Sequence, residues 1–272
     1  GVTYPKNRLI IEHTTEVIGM NDAPATAIRR KRKSSIVVGA NLVKKDKADA
    51  FVSAGNTGAC MAAGVLKIRA LEEIHRPAIA TILPNIKEGT ILMDAGANVD
   101  CKPEELVQFA MMGKVYAEKI FGRKSPRIGL LSNGEEKKKG NKLTKETYPL
   151  LEESSLNFIG NVEGRDIFNG EVDVVVCDGF VGNVVLKTTE GLASAIKSIL
   201  KEEATSSLRT MLGAKIMEPA LDGLKKRLDY TEYGGAPLLG LKKMVIISHG
   251  SSNGWAIRNA IRVARESLIR EV

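Results

Sequence analysis

The sequence predicts an α/β fold, with a mostly parallel sheet covered by helices on both faces. Three observations carry that expectation. Short aliphatic runs lacking polar alternation recur along the chain, as in strands buried on both sides. Each run stops at a corner of Gly with Asp, Asn or Ser, the residues of tight turns. Between the corners, apolar residues recur at helical spacing. Gly is frequent at 26 residues and aromatics are scarce at 4%, which suits aliphatic strands and glycine turns.

Taken in order, Ala50-Phe51-Val52 runs into Ser53-Ala54-Gly55-Asn56-Thr57-Gly58, and Thr90-Ile91-Leu92-Met93 into Asp94-Ala95-Gly96-Ala97-Asn98. Asp100 or Cys101 then precedes Pro103-Glu104-Glu105, with proline and acids in a first helical turn. From there Leu106, Phe109, Ala110, Gly113 and Ala117 keep helical spacing to about Phe121. Arg127–Leu131 ends at Ser132-Asn133-Gly134, and the charged run Glu135–Lys139 reads as a loop. Val174–Cys177 ends at Asp178-Gly179, and a helix follows over 184–204 with Leu186, Leu192, Ile196, Ile199 and Leu200 on its apolar side.

Residues 205–241 break the rhythm. Leu208, Met211, Leu212 and Ile216 mark one helix; Pro219 restarts the chain and Leu221, Leu224 and Leu228 mark another. This reads as a helical insertion that packs on the body or a dimer partner, or touches an anionic membrane. Met244–Ile247 then leads into Ser248-His249-Gly250-Ser251-Ser252-Asn253-Gly254, and a helix closes the chain over 255–271.

A length of 272 residues suits a single large α/β/α unit. No apolar run reaches membrane-spanning length and no secretory leader is seen at the start. The chain opens on Gly rather than Met, which leads us to expect that its true N-terminus is missing. Three cysteines, Cys60, Cys101 and Cys177, lack metal-ligand spacing and fit a reducing, cytoplasmic setting as small buried hydrophobes. The net charge of +8 favours anionic partners. No zinc-finger spacing, RNP motif or aromatic-interleaved basic stripe points to nucleic acid.

Strand-end corners are where open α/β sheets collect ligands, and each following helix offers free N–H groups and a positive dipole end to an anion. All five corners are expected on one rim. Ser53, Gly55, Asn56, Thr57 and Gly58 form a candidate phosphate cradle, without the spelling of a P-loop or dinucleotide fingerprint. No G-x-S-x-G elbow marks a serine hydrolase. Lys137, Lys138 and Lys139 could set an ammonium against the anion, or form a solvated loop. Asn183 either caps a helix or donates its amide to substrate. Asp94, Asn98, Asp178 and Gly179 line their corners, the two acids holding loops through backbone N–H bonds. His249, Gly250, Ser251 and Ser252 complete the candidate set.

The stretches SAGNTGA (53–59), MDAGAN (93–98), KKGN (138–141), DGFVGNVVLKTTEG (178–191), YGGAPLLG (233–240) and HGSSN (249–253) stand in the order of one family. Together they resemble the bacterial phosphate acyltransferases of phospholipid synthesis, the PlsX family of acyl-acyl carrier protein:phosphate transacylases. The family's opening strand with its Asp-Ala-Met-Gly-Gly-Asp corner is absent here, so the resemblance leads us to expect that an N-terminal strand is missing. The resemblance implies a three-layer α/β/α sandwich like phosphotransacetylase and isocitrate dehydrogenase, in a homodimer, with no cofactor and no metal. It implies attack of inorganic phosphate on the thioester of long-chain acyl carrier protein, giving acyl phosphate. A proposed catalytic lysine and asparagine fall on Lys139, with Lys138 as competitor, and on Asn183. It also implies delivery of product to a membrane glycerol-phosphate acyltransferase, with 205–241 as the membrane contact. Rival readings are a phosphotransacetylase acting on acyl-CoA, a nicotinamide-dependent decarboxylating dehydrogenase and a non-catalytic scaffold of lipid synthesis.

Overall fold

The computed structural model describes residues 7–228 and 234–272, so Tyr233 of the YGGAPLLG stretch lies outside the described residues. Eight strands form one sheet: β1 (Ala50–Ser53), β2 (Ala78–Leu83), β3 (Thr90–Met93), β4 (Ile128–Leu131), β5 (Phe158–Val162), β6 (Val174–Val176), β7 (Ala236–Leu239) and β8 (Met244–Ile247). Their order is β1-β8-β7-β2-β3-β6-β4-β5. Every residue of β3, β4, β6 and β8 is buried, as the unbroken aliphatic runs require.

Nine helices are described: α1 (Pro24–Arg30), α2 (Ser35–Lys44), α3 (Thr57–Ala63, extended by a π turn over Gly64–Ile68), α4 (Pro103–Phe121), α5 (Lys142–Glu152), α6 (Gly179–Thr205), α7 (Leu208–Ile216), α8 (Glu218–Leu228) and α9 (Gly254–Ile269). The expected cap of α4 moves on to Lys102, whose backbone N–H donates to Glu105 Oε2 at 2.8 Å. At its far end Gly122 takes a left-handed φ of +67°. Helix α6 begins at Gly179 rather than Val184, because Asp178 caps it.

The sheet separates three layers. Helices α4 and α5 cover β2, β3, β4 and β6 through Leu106, Phe109, Tyr116 and Leu151, while α9 lies over β8 on the same side through Ala260, Val263 and Ala264. Fully burying such a side chain contributes roughly 1.5–3 kcal/mol. Helices α2 and α3 cover the opposite face at β7 and β8, and the first turns of α6 cover it at β6. Leu186 of α6 packs on both of those clusters and joins them.

Strand direction divides the sheet. β1 runs parallel to β8, and β3, β6, β4 and β5 run parallel to one another. Between these blocks β7 is antiparallel to β8 and to β2, and β2 is antiparallel to β3. Three reversals leave the β3 block pointing opposite to β1 and β8. The expectation of one rim for all five corners is therefore overturned: three leave the sheet one way and two the other.

The 205–241 segment is also narrower as a helical insertion than expected. It is helical through Leu228, but Ala236–Leu239 is a strand inside the sheet. The second half of α6, α7 and α8 form an arm in which no described residue from Gly191 to Leu224 is buried. Ala236–Leu239 thus packs in the body, whereas no described residue of the arm is buried.

Candidate active site

Three corners share a rim because β3, β6 and β4 are neighbours running the same way, about 5 Å apart. The ladder continues to the rim itself, where Asp94 N donates to Cys177 O at 3.0 Å and Cys177 N to Met93 O at 2.8 Å.

Asp94 is 0% exposed. Its Oδ1 accepts from Ile79 N at 3.0 Å, Gly96 N at 3.2 Å and Ala97 N at 3.0 Å. Its Oδ2 accepts from Ala97 N at 3.0 Å, Asn98 N at 2.6 Å and Asn98 Nδ2 at 2.9 Å. Burial lifts its pKa above the ordinary carboxylate value, and these bonds oppose that lift. Asn98 is equally engaged, donating Nδ2 also to Pro77 O at 2.9 Å. Both carboxylate oxygens of Asp94 and the Nδ2 of Asn98 are thus engaged within the chain, and both residues brace this corner.

Asp178 caps α6 by accepting from Val181 N at 2.9 Å, which leaves Asn183 inside the helix rather than at its cap. Gly179 N donates to Asn98 O at 2.7 Å. A Cβ on Gly182 would stand 1.9 Å from Asp94 O, so only glycine fits that contact. Asn183 follows directly and is exposed. Its Nδ2 would be 2.7 Å from a Cβ on Gly96, where φ is +134°.

The third corner is the 132–141 loop. Asn161 Nδ2 donates to Glu136 O at 2.9 Å, Gly140 N to Asn133 Oδ1 at 2.8 Å, and Asn141 caps α5 by accepting from Thr144 N at 2.9 Å. Lys137 is drawn aside to Glu152 Oε2 at 2.5 Å, with Tyr148 under its ammonium. Lys138 and Lys139 are exposed and have no ion-pair partner among the described residues. The stem of Lys139 lies over Gly134, where an added Cβ would come within 2.8 Å of its Cγ. With α4, α5 and α6 all starting here, the rim gathers three helix N-termini, and the exposed ammoniums of Lys138 and Lys139 and the exposed amide of Asn183 stand among its side chains.

The other corners meet each other instead. Ser248 N donates to Ser53 O at 2.8 Å. Asn56 caps α3 through Ala59 N at 2.9 Å and donates Nδ2 to Gly19 O and Met20 O. Ser53 Oγ accepts from Gly55 N at 3.2 Å, and a Cβ on Gly58 would meet Pro24 Cγ at 2.7 Å. Thr57 is exposed. Among the partners of His249, Ser251 Oγ lies 2.6 Å from Nδ1, and Ser252 N donates to His249 O at 3.0 Å. Gly250 passes 3.8 Å, measured from a built Cβ, from Ala54 O. The cradle and the His249 corner thus form a pair of their own, separated from Lys139 and Asn183 by the strand reversals.

Cysteine chemistry is muted. Burial raises the thiol pKa of Cys177 well above its usual value, with Asp178 and Asp94 adding to it, and burial likewise raises Cys60. Cys101 is pushed up to about 12, mainly by burial and then by Asp94 and Glu105. None is poised as a thiolate nucleophile. Sequence reasoning missed Gly96 and Gly182 as site-forming residues, although both sit inside quoted motifs; a glycine within a corner and a glycine in a first helical turn were the available signals.

The family model described as "Fatty acid synthesis protein" matches residues 3–272. A phosphate acyltransferase of Pelotomaculum thermopropionicum is 59% identical over 258 residues, 95% of this chain and 75% of that protein. One from Halothermothrix orenii is 56% identical over 271 residues, 99% of this chain and 81% of that one. Among solved structures, the EutD phosphotransacetylase of Staphylococcus aureus superposes with a TM-score of 0.56 at 16% identity, covering 91% of this chain and 74% of its own. A Streptococcus pyogenes phosphotransacetylase gives 0.55 at 20%, covering 85% and 67%. These two likenesses establish the α/β fold. The match across 3–272, together with relatives well above half identical, establishes that the chain belongs to the phosphate acyltransferase (PlsX) family of fatty acid synthesis proteins.

Proposed function

We propose that the protein transfers a long-chain acyl group from acyl carrier protein to inorganic phosphate, making acyl phosphate for phospholipid synthesis. The observation that carries this is the family match over 3–272 with relatives named phosphate acyltransferase. The rim after β3, β6 and β4 supports it, since it offers what the chemistry needs.

In this reading a phosphate oxygen attacks the thioester carbonyl carbon. A C–O bond forms, the C–S bond breaks, and the electron pair leaves with the carrier's thiolate. Phosphate is repelled and solvated in water, so an ammonium, Lys139 or its neighbour Lys138, and the α5 and α6 N-termini hold it in line. As it adds, charge grows on the carbonyl oxygen, and the Asn183 amide donates to it. The thiolate leaves readily, so no metal is demanded. The +8 chain favours encounter with an acidic carrier. Asp178 and Gly179 shape the turn beneath the reactants.

The arm after Gly191 carries the interface of a homodimer in this reading: its apolar stripe, Leu192, Ile196, Ile199 and Leu200, is exposed. Peripheral membrane contact, with hand-over of product to a membrane glycerol-phosphate acyltransferase, is the rival use of the same stripe. Among the described residues no helix is long and apolar enough to cross a membrane, and we place the protein in the cytoplasm.

The test is phosphate-dependent release of acyl phosphate from palmitoyl-acyl carrier protein, beside palmitoyl-CoA at equal concentration. Faster turnover of the carrier substrate is expected. Preference for the CoA thioester would make the protein a phosphotransacetylase instead, and no turnover of either would favour a scaffold.

A further inference from the structure

We propose that Asp94 is a positioning residue for Asn183: the buried carboxylate fixes the 95–98 turn, and that turn sets where the Asn183 amide stands. This rests on the reading of Asn183 as the amide that meets the substrate carbonyl.

Three contacts link the two residues. First, the turn is wound around the carboxylate, with N–H groups of Gly96, Ala97 and Asn98 and the Asn98 side chain all donating to it within 3.2 Å. Ile79 N on β2 ties the same carboxylate to the sheet. Second, the first turn of α6 lies directly on this corner. Built Cβ atoms would stand 2.9 Å from Asp94 Oδ2 at Gly179 and 1.9 Å from Asp94 O at Gly182, the residue before Asn183. Third, Gly96 abuts the amide itself, with Asn183 Nδ2 at 2.7 Å from its built Cβ and Asn183 Cγ at 3.5 Å. Asn183 is exposed and its amide makes no side-chain hydrogen bond among the described residues, so steric contact with Gly96 is what limits its rotamers on that side.

A carboxylate accepting only from N–H donors holds a turn more tightly than a neutral amide can, because charge-assisted bonds are stronger and an amide offers one acceptor oxygen. Substituting Asp94→Asn turns an NH2 toward N–H groups, loosens the 95–98 turn and lets the Asn183 amide wander from the carbonyl. Misplacement by about 1 Å costs on the order of 100-fold in rate.

The experiment is a double-mutant cycle on acyl phosphate formation with Asp94→Asn, Asn183→Ala and both, reading kcat and KM for phosphate separately. Asp94→Asn is expected to lower kcat at least tenfold with KM changed less than twofold, and to add less than twofold once Asn183 is alanine. Equal factors in both backgrounds would show that Asp94 acts independently of Asn183 and overturn this inference alone. A parental rate for Asn183→Ala would remove the Asn183 reading and this inference with it. Should Asp94→Asn not fold, Asn98→Ala, which removes the 2.9 Å side-chain donor, runs the same cycle in milder form.

Discussion

Helix α6 begins and ends in different surroundings. Its first turn is fitted to the Asp94 corner so closely that Gly179 and Gly182 are its only buried residues, each where a side chain would collide with backbone. From Gly191 onward the same helix touches no core, and Leu192, Ile196, Ile199 and Leu200 stand 40–60% exposed. One end is specified by contacts within the chain. The other keeps an aliphatic stripe, and burying each such side chain is worth roughly 1.5–3 kcal/mol. Contiguous exposed apolar side chains are a mark of interaction surfaces, which is why we propose one here.

The sharpest way to break this contrast is a pair of identical substitutions on one helix. Gly182→Ala must push its methyl into Asp94 O, and we expect loss of the cooperative fold. Gly191→Ala meets nothing within 4 Å and should leave stability unchanged or raise it by up to about 1 kcal/mol. Thermal melts of the two proteins decide it, and similar midpoints would erase the distinction between the two ends.

Next in size is the ammonium across the rim. Lys139→Ala should raise KM for phosphate about tenfold or more with the melting temperature unchanged, because the residue is exposed and unpaired among the described residues. Lys137→Ala, whose ammonium is held by Glu152, should alter KM less than twofold. If Lys138→Ala carries the larger effect, the phosphate-holding role passes to Lys138.

The smallest expected effect on folding lies in the arm. Ile199→Asp should shift unfolding of the body by less than about 0.5 kcal/mol, as for exposed sites generally. The same substitution should dissociate a homodimer in sedimentation at micromolar protein. An unaltered dimer together with lost binding to anionic vesicles would assign the stripe to a membrane.

Much of the sheet was legible. Aliphatic runs ending in Gly with Asp, Asn or Ser placed β1, β3, β4, β6 and β8, and Pro103-Glu104-Glu105 placed the start of α4. Strand direction was not legible, because a run of valines reads alike whichever way it pairs. β7 pairs with each neighbour through only two registered residues and begins Ala236-Pro237, so it passed for part of an insertion, yet it and β2 reverse the sheet between two groups of corners. Within the site, Lys139 and Asn183 were candidates from their corners, and their catalytic assignment came from the resemblance. The meeting of Gly96 with Asn183 joins residues distant in sequence and is a property of packing alone.

The central claim is that the rim after β3, β6 and β4 carries out acyl transfer to phosphate. Its most direct test is the initial rate of acyl phosphate formation from palmitoyl-acyl carrier protein by the parent and by Asn183→Ala, with folding of both checked by circular dichroism. Loss of one oxyanion donor should lower kcat about 100- to 1,000-fold with an unchanged melt. A folded Asn183→Ala protein working at the parental rate would contradict the account.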